Sequence, residues 1–394
     1  MGMGMEKRYI YYLSAAHLFN DLNGGALPAI LPFLAQAYDL DYQAVAGLIF
    51  ASCCLSSIVQ PAFGYFSDRV SKPWFMSAGL LIAGIGLGAV GFFQNYWAIF
   101  AAAMISGVGG AIFHPEAARF ANRVSGAKKG AGMSIFSVGG NGGFAFGPPV
   151  AAVAMTQIGL HGTAVFAALG ILMAAFLFYQ VPRMEAGLRA AEAGGAARAG
   201  AVSAAKNDWK LFSRLTVVIF GRSVIFYGFN TFIPLYWMHV LGQSHAAGAT
   251  ALTILFSFGV VMNFTGGLLG DRFGHVKVMR AAFLLMIPLL FLFTETTNVM
   301  LATLLLFPLG FGMFAPFSSV VVMGQAYLAR SVGFASGVTL GLAVTIGGVA
   351  APGLGWIADT YGLRQAMHLL GYVAMLAAAF TFLLPAAKKS RSRA

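Results

Sequence analysis

Charge is scarce in this chain. Lys, Arg, Asp and Glu make up 9% of its residues against 59% apolar ones, and the mean hydropathy is +0.80. A soluble protein of this length needs far more charge to cover its surface, so the soluble classes are excluded. Cysteine is nearly absent. The only two, Cys53 and Cys54, are neighbours. Adjacent side chains on a helix point about 100° apart, so the two form neither a disulfide nor a metal pair and read as small packing residues. Signatures of catalysis and nucleotide binding are also missing: there is no His-Glu-x-x-His metal spacing, no Gly-x-x-x-x-Gly-Lys-Ser/Thr phosphate loop and no sizeable extramembrane segment. That disfavours an enzyme, a receptor or an ATP-driven pump. No metal or cofactor is expected, and an ion gradient is left as the energy source. The N-terminus lacks a cleavable signal pattern, so the first apolar run is expected to serve as its own insertion signal.

What the chain has instead is long apolar runs. Twelve are long enough to cross a bilayer, at roughly 8–36, 43–66, 73–93, 96–123, 129–156, 162–181, 213–240, 247–269, 276–295, 298–326, 331–358 and 364–385. Fifty glycines would weaken soluble helices but suit closely packed transmembrane ones. Acids are outnumbered by bases, 12 to 24, and a net charge of +12 invites a nucleic-acid reading. The placement of the charges argues against it. Bases fall at Arg69 and Lys72, between Arg119 and Lys129, along 183–214, from Arg272 to Arg280, at Arg330 and in the Lys388–Arg393 tail, all on one side of the predicted spans. The opposite loops hold Asp39, Asp41, Glu295, Asp359 and, of the bases, only Arg364. This asymmetry puts both termini in the cytoplasm.

The chain repeats itself. Gly64, Asp68 and Arg69 after the second run are echoed by Gly267, Asp271 and Arg272 after the eighth, and Gly107, Gly109 and Pro115 by Gly310, Gly312 and Pro316. Duplicated apolar halves point to a secondary transporter whose substrate site lies between the repeats. The expected division is an N-terminal six-helix bundle at 1–182, a low-complexity Ala/Gly/Arg linker at 183–212, a C-terminal bundle at 213–385 and a basic tail at 386–394.

Twelve spans in two halves with a duplicated Gly-x-x-x-Asp-Arg resemble the major facilitator superfamily. The resemblance implies an all-α membrane protein of twelve transmembrane helices in two pseudo-symmetric six-helix bundles. Four strings resemble, within it, the fosmidomycin-resistance subfamily of drug exporters: His17 with Asn20 and Asp21; Gln60-Pro61 with Gly64; Phe113-His114-Pro115-Glu116 with Arg119; and Ser134 through Gly139, Gly140 and Asn141. The implied function is proton-coupled export of a small drug or organic anion by alternating access in a bacterial inner membrane, with phosphonates among the candidates. Proton-coupled uptake or facilitated movement of a carboxylate or sugar is the alternative. The expected partners are substrate, protons and lipid, with the chain acting as a monomer. Asp68, Arg69, Asp271 and Arg272 would act as latches between conformers. The pattern departs from the family's after both copies, at Ser71 and Pro73 and at His275 and Val276. Gly143, Gly147 and Pro148 resemble the Gly-Pro motif of the family's antiporters, in which the fifth span packs on the eighth.

Buried charge is the strongest functional signal, because ionisable groups inside a membrane are costly and tend to face a wet cavity or a partner. His17, Asn20 and Asp21 stand at i, i+3 and i+4 of the first span, on one face. At 1.5 Å per residue His17 lies about 12 Å from the cytoplasmic edge, His114 about 14 Å, Glu116 about 10 Å and Arg222 about 12 Å, one layer drawn from three spans. The resemblance implies that spans one, four, seven and ten face a common cavity. Asp21 sits higher, near the midplane. Glu116 and Asp21 are the expected proton carriers, with His17 and His114 relaying protons or meeting an anion when charged. Arg222 is the expected group for a negatively charged substrate. Arg119, Asn20, Asn141, Tyr227 and Asn230 complete the expected substrate contacts.

Overall fold

The computed structural model describes residues 7–55, 72–126, 129–192, 206–331, 334–335 and 337–385. The first Asp-Arg loop, with Asp68 and Arg69, the Gln60–Gly64 string and the 386–394 tail lie outside the described residues, as does most of the linker.

Long helices follow the expected spans closely. They are α1 (Lys7–Tyr38), α2 (Tyr42–Cys54), α3 (Trp74–Ala89), α4 (Tyr96–Val124), α5 (Lys129–Ile158), α6 (Ala164–Glu192) and α7 (Trp209–His239) in the first part of the chain. α8 (His245–Phe273), α9 (His275–Glu295), α10 (Val299–Phe314), α11 (Pro316–Tyr327), α12 (Ala343–Tyr361) and α13 (Leu363–Phe382) follow. Side-chain caps fix many of the starts: Asn95 accepts from the Trp97 amide at 2.9 Å, Asp208 from Leu211 at 2.9 Å, Ser244 from Ala247 at 3.2 Å and Asn298 from Leu301 at 3.0 Å. Gly274 and Gly362, at φ 97° and 94°, reverse the chain between α8 and α9 and between α12 and α13 in a backbone region that glycine alone adopts freely.

One helix end and one span interior differ from expectation. α6 runs on through Pro182 to Glu192, so the start of the presumed linker is helical. The tenth span is broken at Ala315 into α10 and α11, because Pro316 has no amide to continue the hydrogen-bond ladder. Its sequence counterpart Pro115 lies inside an unbroken α4. Eight continuous helical stretches among the described residues are long and apolar enough to cross a membrane, one of them, 132–189, taking in both α5 and α6. α1 is not among them because His17, Asn20, Asp21 and Asn23 depress its hydropathy, although it spans the same thickness. Large apolar side chains such as Leu172, Phe178, Phe264 and Met300 point outward, as a lipid-facing surface requires. The protein is a multi-pass membrane protein.

The buried core shows how the halves meet. At the end opposite the chain termini a single apolar core joins both, running through Ile30, Leu34, Ile49, Phe232, Trp237, Leu252 and Leu354. Toward the termini it divides in two. One cluster, around Leu13, Phe113, Phe120 and Leu177, belongs to the first half, and the other, around Leu215, Ile219, Met279 and Val320, to the second. Among the described residues the halves are therefore joined in one core at one end and form separate cores at the other. α2 lies along α12, with Gly348 against Cys53 and Gly355 against the Tyr42 backbone, and α5 meets α8 through Phe144 and Phe256, whose ring centroids are 5.6 Å apart.

Candidate functional site

The site begins with the approach of α5 to α1. Gly139, Gly143 and Gly147 fall at intervals of four on α5, and a Cβ on any of them would collide with the α1 backbone at Ser14, Leu18 and Leu22, or Ala26. The resemblance leads one to expect these glycines against the eighth span. They face α1 instead, and bulky Phe144 makes the contact with α8. Without side chains in the way, α1 reaches the α5 carbonyls. Ser14 donates to Ile135 O at 2.7 Å and His17 Nδ1 to Phe136 O at 2.8 Å. The His17 ring stacks on Phe136, centroids 4.1 Å apart, and Gly140 leaves room for that ring and for Asp21.

Asp21 is the centre of the cluster. Its Oδ2 is 3.2 Å from His17 Nε2 and its Oδ1 is 3.3 Å from His114 Nε2. Asn20 Nδ2 donates to Asp21 Oδ1 at 2.9 Å and lies 3.3 Å from His114 Nε2. The two imidazole rings meet edge to face, with centroids 5.3 Å apart. Donor atoms of His17, Asp21 and His114 all lie within 4.8 Å of one another, a composition that a divalent cation also accepts. A shared proton accounts for the same geometry. Phe136 O can only accept, so His17 carries hydrogen on Nδ1, and a bond from Nε2 to the carboxylate needs one further proton in the pair.

This cluster opens onto a cavity of about 310 Å³. His17, Asp21, Gly140 and Asn141 form its wall on the first half, and Arg222, Tyr227 and Asn263 are on the wall of the second. Arg222 sits over the Phe317 ring at 5.2 Å, and among the described residues no carboxylate lies within 4.0 Å of it. Five phenylalanines, Phe144, Phe226, Phe256, Phe314 and Phe317, supply most of the apolar lining.

The structure sorts the sequence candidates. His17, Asp21, Asn141, Arg222 and Tyr227 line the cavity, with Asn20 and His114 directly behind Asp21. Glu116 does not join them. It is 1% exposed, its Oε1 is 2.6 Å from Arg119 NH2, and neither residue is on the cavity wall. Depth along α4 is right for Glu116, but two residues of helix turn it about 200° away from His114. Asp21, expected above the layer, is at its heart. Asn230 is buried at 3% exposure and also off the wall. Asp271 is largely exposed, with its carboxylate 3.6 Å from His275 Nε2 at the start of α9, and Arg272 lies over Phe273 at 5.2 Å. Both contacts stay within the α8–α9 turn. The phenylalanine wall and the Phe136 carbonyl carry no sequence signal beyond an abundance of Phe and the glycines beside residue 136.

Helices from both halves enclosing one central cavity, sealed at a single end, form an architecture that known proteins share. A family model described as Major Facilitator Superfamily matches residues 13–352. The chain belongs to the major facilitator superfamily. It is similar to the fosmidomycin resistance protein of Escherichia coli (strain K12), 28% identical over 373 residues that cover 94% of this chain and 91% of that one. It is also similar to the uncharacterized MFS-type transporter YfnC of Bacillus subtilis (strain 168), 29% identical over 383 residues, 96% and 93% of the two chains. Weaker similarity, 22% over 264 residues, joins it to a probable nitrate transporter NarT of Staphylococcus haemolyticus (strain JCSC1435), covering 66% of this chain and 65% of that one. In fold it matches a bacterial homologue of the human lysosomal transporter Spinster in an inward-facing, occupied conformation, with a TM-score of 0.78, 17% identity and 96% of each chain covered. As a superfamily member the protein is a membrane transporter, and its family is not one of enzymes.

Proposed function

We propose that this transporter is a proton-driven exporter of a small organic anion, working by alternating access in a bacterial inner membrane with both termini in the cytoplasm. One observation carries the reading. A single cavity of about 310 Å³ holds both a carboxylate–histidine pair that can take and give a proton and an arginine that, among the described residues, has no acid of its own. The sealed end is then periplasmic, and the separated cores flank a cytoplasmic entrance. Arg222 receives the anionic group, since a guanidinium grips carboxylate or phosphonate with two parallel bonds. A substrate that fills so small a space also sets a hydrogen-bond donor against Asp21, in place of the proton shared with His17. Proton and substrate then exclude one another, as exchange requires. The relative named for fosmidomycin resistance, matched over nearly the whole chain, supports export of such a compound.

Uptake is the second reading, supported by the relatives named as nitrate transporters and by electrostatics. An anion lacking a donor for Asp21 would be stabilised by the proton and would travel with it. The two readings have opposite pH dependence. Competition makes substrate bind more tightly as pH rises and the pair loses its proton, whereas co-transport makes it bind more weakly. The deciding experiment is transport into proteoliposomes under an imposed pH gradient, with fosmidomycin as first probe, together with binding across pH. Export predicts accumulation driven by proton counterflow and its loss in Asp21→Asn, with substrate exchange retained. Undiminished gradient-driven transport in Asp21→Asn would sink the coupling assignment.

A further inference from the structure

Beyond an anion site, the cavity has a second, apolar subsite whose geometry is specific. Phe226 on α7, Phe256 on α8 and Phe314 at the end of α10 surround one corner of it. Their centroids are 6.0 Å (Phe226–Phe256), 5.7 Å (Phe226–Phe314) and 6.2 Å (Phe256–Phe314) apart. Phe314 stands nearly perpendicular to the other two, at 83° and 85°. Phe144 closes the corner from the first half, 5.6 Å from Phe256. These rings are not turned out to lipid. Phe144, Phe226 and Phe314 stay part-exposed to an internal space, so their apolar surface is only partly buried. Perpendicular rings offer a face and an edge together, the surroundings in which another flat ring gains both offset stacking and edge-to-face contact. Arg222, with its guanidinium over Phe317, stands on the same cavity wall.

We infer that the transported anion is an arylated one, with its charged group on Arg222 and a planar apolar group in the corner made by Phe226, Phe256, Phe314 and Phe144. The inference rests on Arg222 as the anion-binding group. It also gives the substrate a structural effect. Three rings of the corner belong to the second half and Phe144 to the first, so an aryl group lodged there touches both halves and stabilises the arrangement in which they are joined.

The test is equilibrium binding to the full-length protein in nanodiscs, using benzylphosphonate, methylphosphonate and benzyl alcohol as probes. Benzylphosphonate should bind at least about tenfold more tightly than methylphosphonate, from the apolar area its ring buries. Benzyl alcohol, lacking the charge, should bind at least about tenfold more weakly than benzylphosphonate. Phe314→Ala and, as a milder second variant, Phe226→Leu should shrink the benzyl-to-methyl ratio, and methylphosphonate binding reports that each variant is folded. Arg222→Gln should weaken both phosphonates and leave benzyl alcohol unmoved. Equal affinities for the two phosphonates, or a ratio that survives in both phenylalanine variants, overturns the aryl subsite alone. If neither phosphonate binds, the aryl subsite is overturned together with the anion reading of Arg222.

Discussion

The carboxylate of Asp359, near the end of α12, holds the first two amides of α2: Oδ1 accepts from Tyr42 N at 2.8 Å while Oδ2 accepts from Gln43 N at 2.8 Å. An acid in the last turn of a helix opposes its own helix dipole, and here the amino end of α2 compensates it. Asp41 caps the next free amide, Ala44 N, at 2.7 Å. The Tyr42 hydroxyl meets His239 Nδ1 at 2.6 Å, and Phe33 stacks on His245 at 4.3 Å. Each of these contacts except the Asp41 cap joins the first half to the second, and all lie at the sealed end.

Opening that end must break both Asp359 bonds. Asp359→Ala removes two exposed bonds of about 1 kcal/mol each, which shifts the balance toward the opened state by roughly thirtyfold. The measurement is labelling by a membrane-impermeant maleimide of a cysteine placed at Phe33, with Cys53 and Cys54 replaced. Labelling should speed up in Asp359→Ala, and an unchanged rate would show that the α2–α12 junction is not a gate.

The glycine stripe on α5 makes a prediction about stability that is resolved by position. A methyl group on Gly143 collides with backbone atoms of Leu18 and Leu22, which cannot step aside singly, whereas on Gly142 it meets only Leu18 Cδ1 at 3.4 Å. Gly143→Ala should therefore destabilise the protein by about 1–3 kcal/mol through overpacking. Gly142→Ala should change stability by no more than about 0.5 kcal/mol. Thermal unfolding of the purified variants in one detergent compares them directly.

Much of this was legible from residue order, and the remainder failed for definable reasons. Spans could be read because lipid demands apolar runs, and the polar face of α1 because His17, Asn20 and Asp21 share one side at i, i+3 and i+4 spacing. Counting residues along α4 gives depth but not azimuth, so it groups Glu116 with His114 although the Glu116 carboxylate is held by Arg119. The density of glycine in α5 announces close packing without naming the partner, and α1 is that partner. Asp359 reads as one acid in an outer loop, since nothing local reveals that α2 begins beside it. The phenylalanine corner draws on α5, α7, α8 and α10, and no spacing within one helix encodes it.

Glu116 and Asp21 are separable by experiment. Glu116→Gln weakens a pair with Arg119, itself 27% exposed at the side chain, away from the cavity wall. It should lower thermal stability while leaving the proton-driven component of transport in the surviving protein. Asp21→Asn should do the reverse, since Asn can still accept and donate hydrogen bonds beside His17 and His114 but cannot carry the charge. Loss of coupling in Glu116→Gln with coupling intact in Asp21→Asn would transfer the proton to α4.

Gly140 provides the last test, because it separates the proton pair from the packing that supports it. A Cβ there would stand 2.5 Å from His17 Cε1 and Nε2 and 2.8 Å from Asp21 Oδ2, with no α1 backbone atom among its nearest neighbours. Side chains can yield where backbone cannot, so Gly140→Ala should cost less stability than Gly143→Ala. What must yield is the His17 ring, held on one side by the Phe136 stack and on its Nδ1 by the Phe136 carbonyl. Turning it away from Asp21 leaves the carboxylate, among the described residues, with His114 and Asn20. Gradient-driven transport by Gly140→Ala should fall by about tenfold or more, the scale on which a positioned proton-transfer group acts, while substrate exchange without a gradient persists. Coupling at the wild-type rate in this variant would mean that the His17–Asp21 contact is structural and that the proton travels by another route.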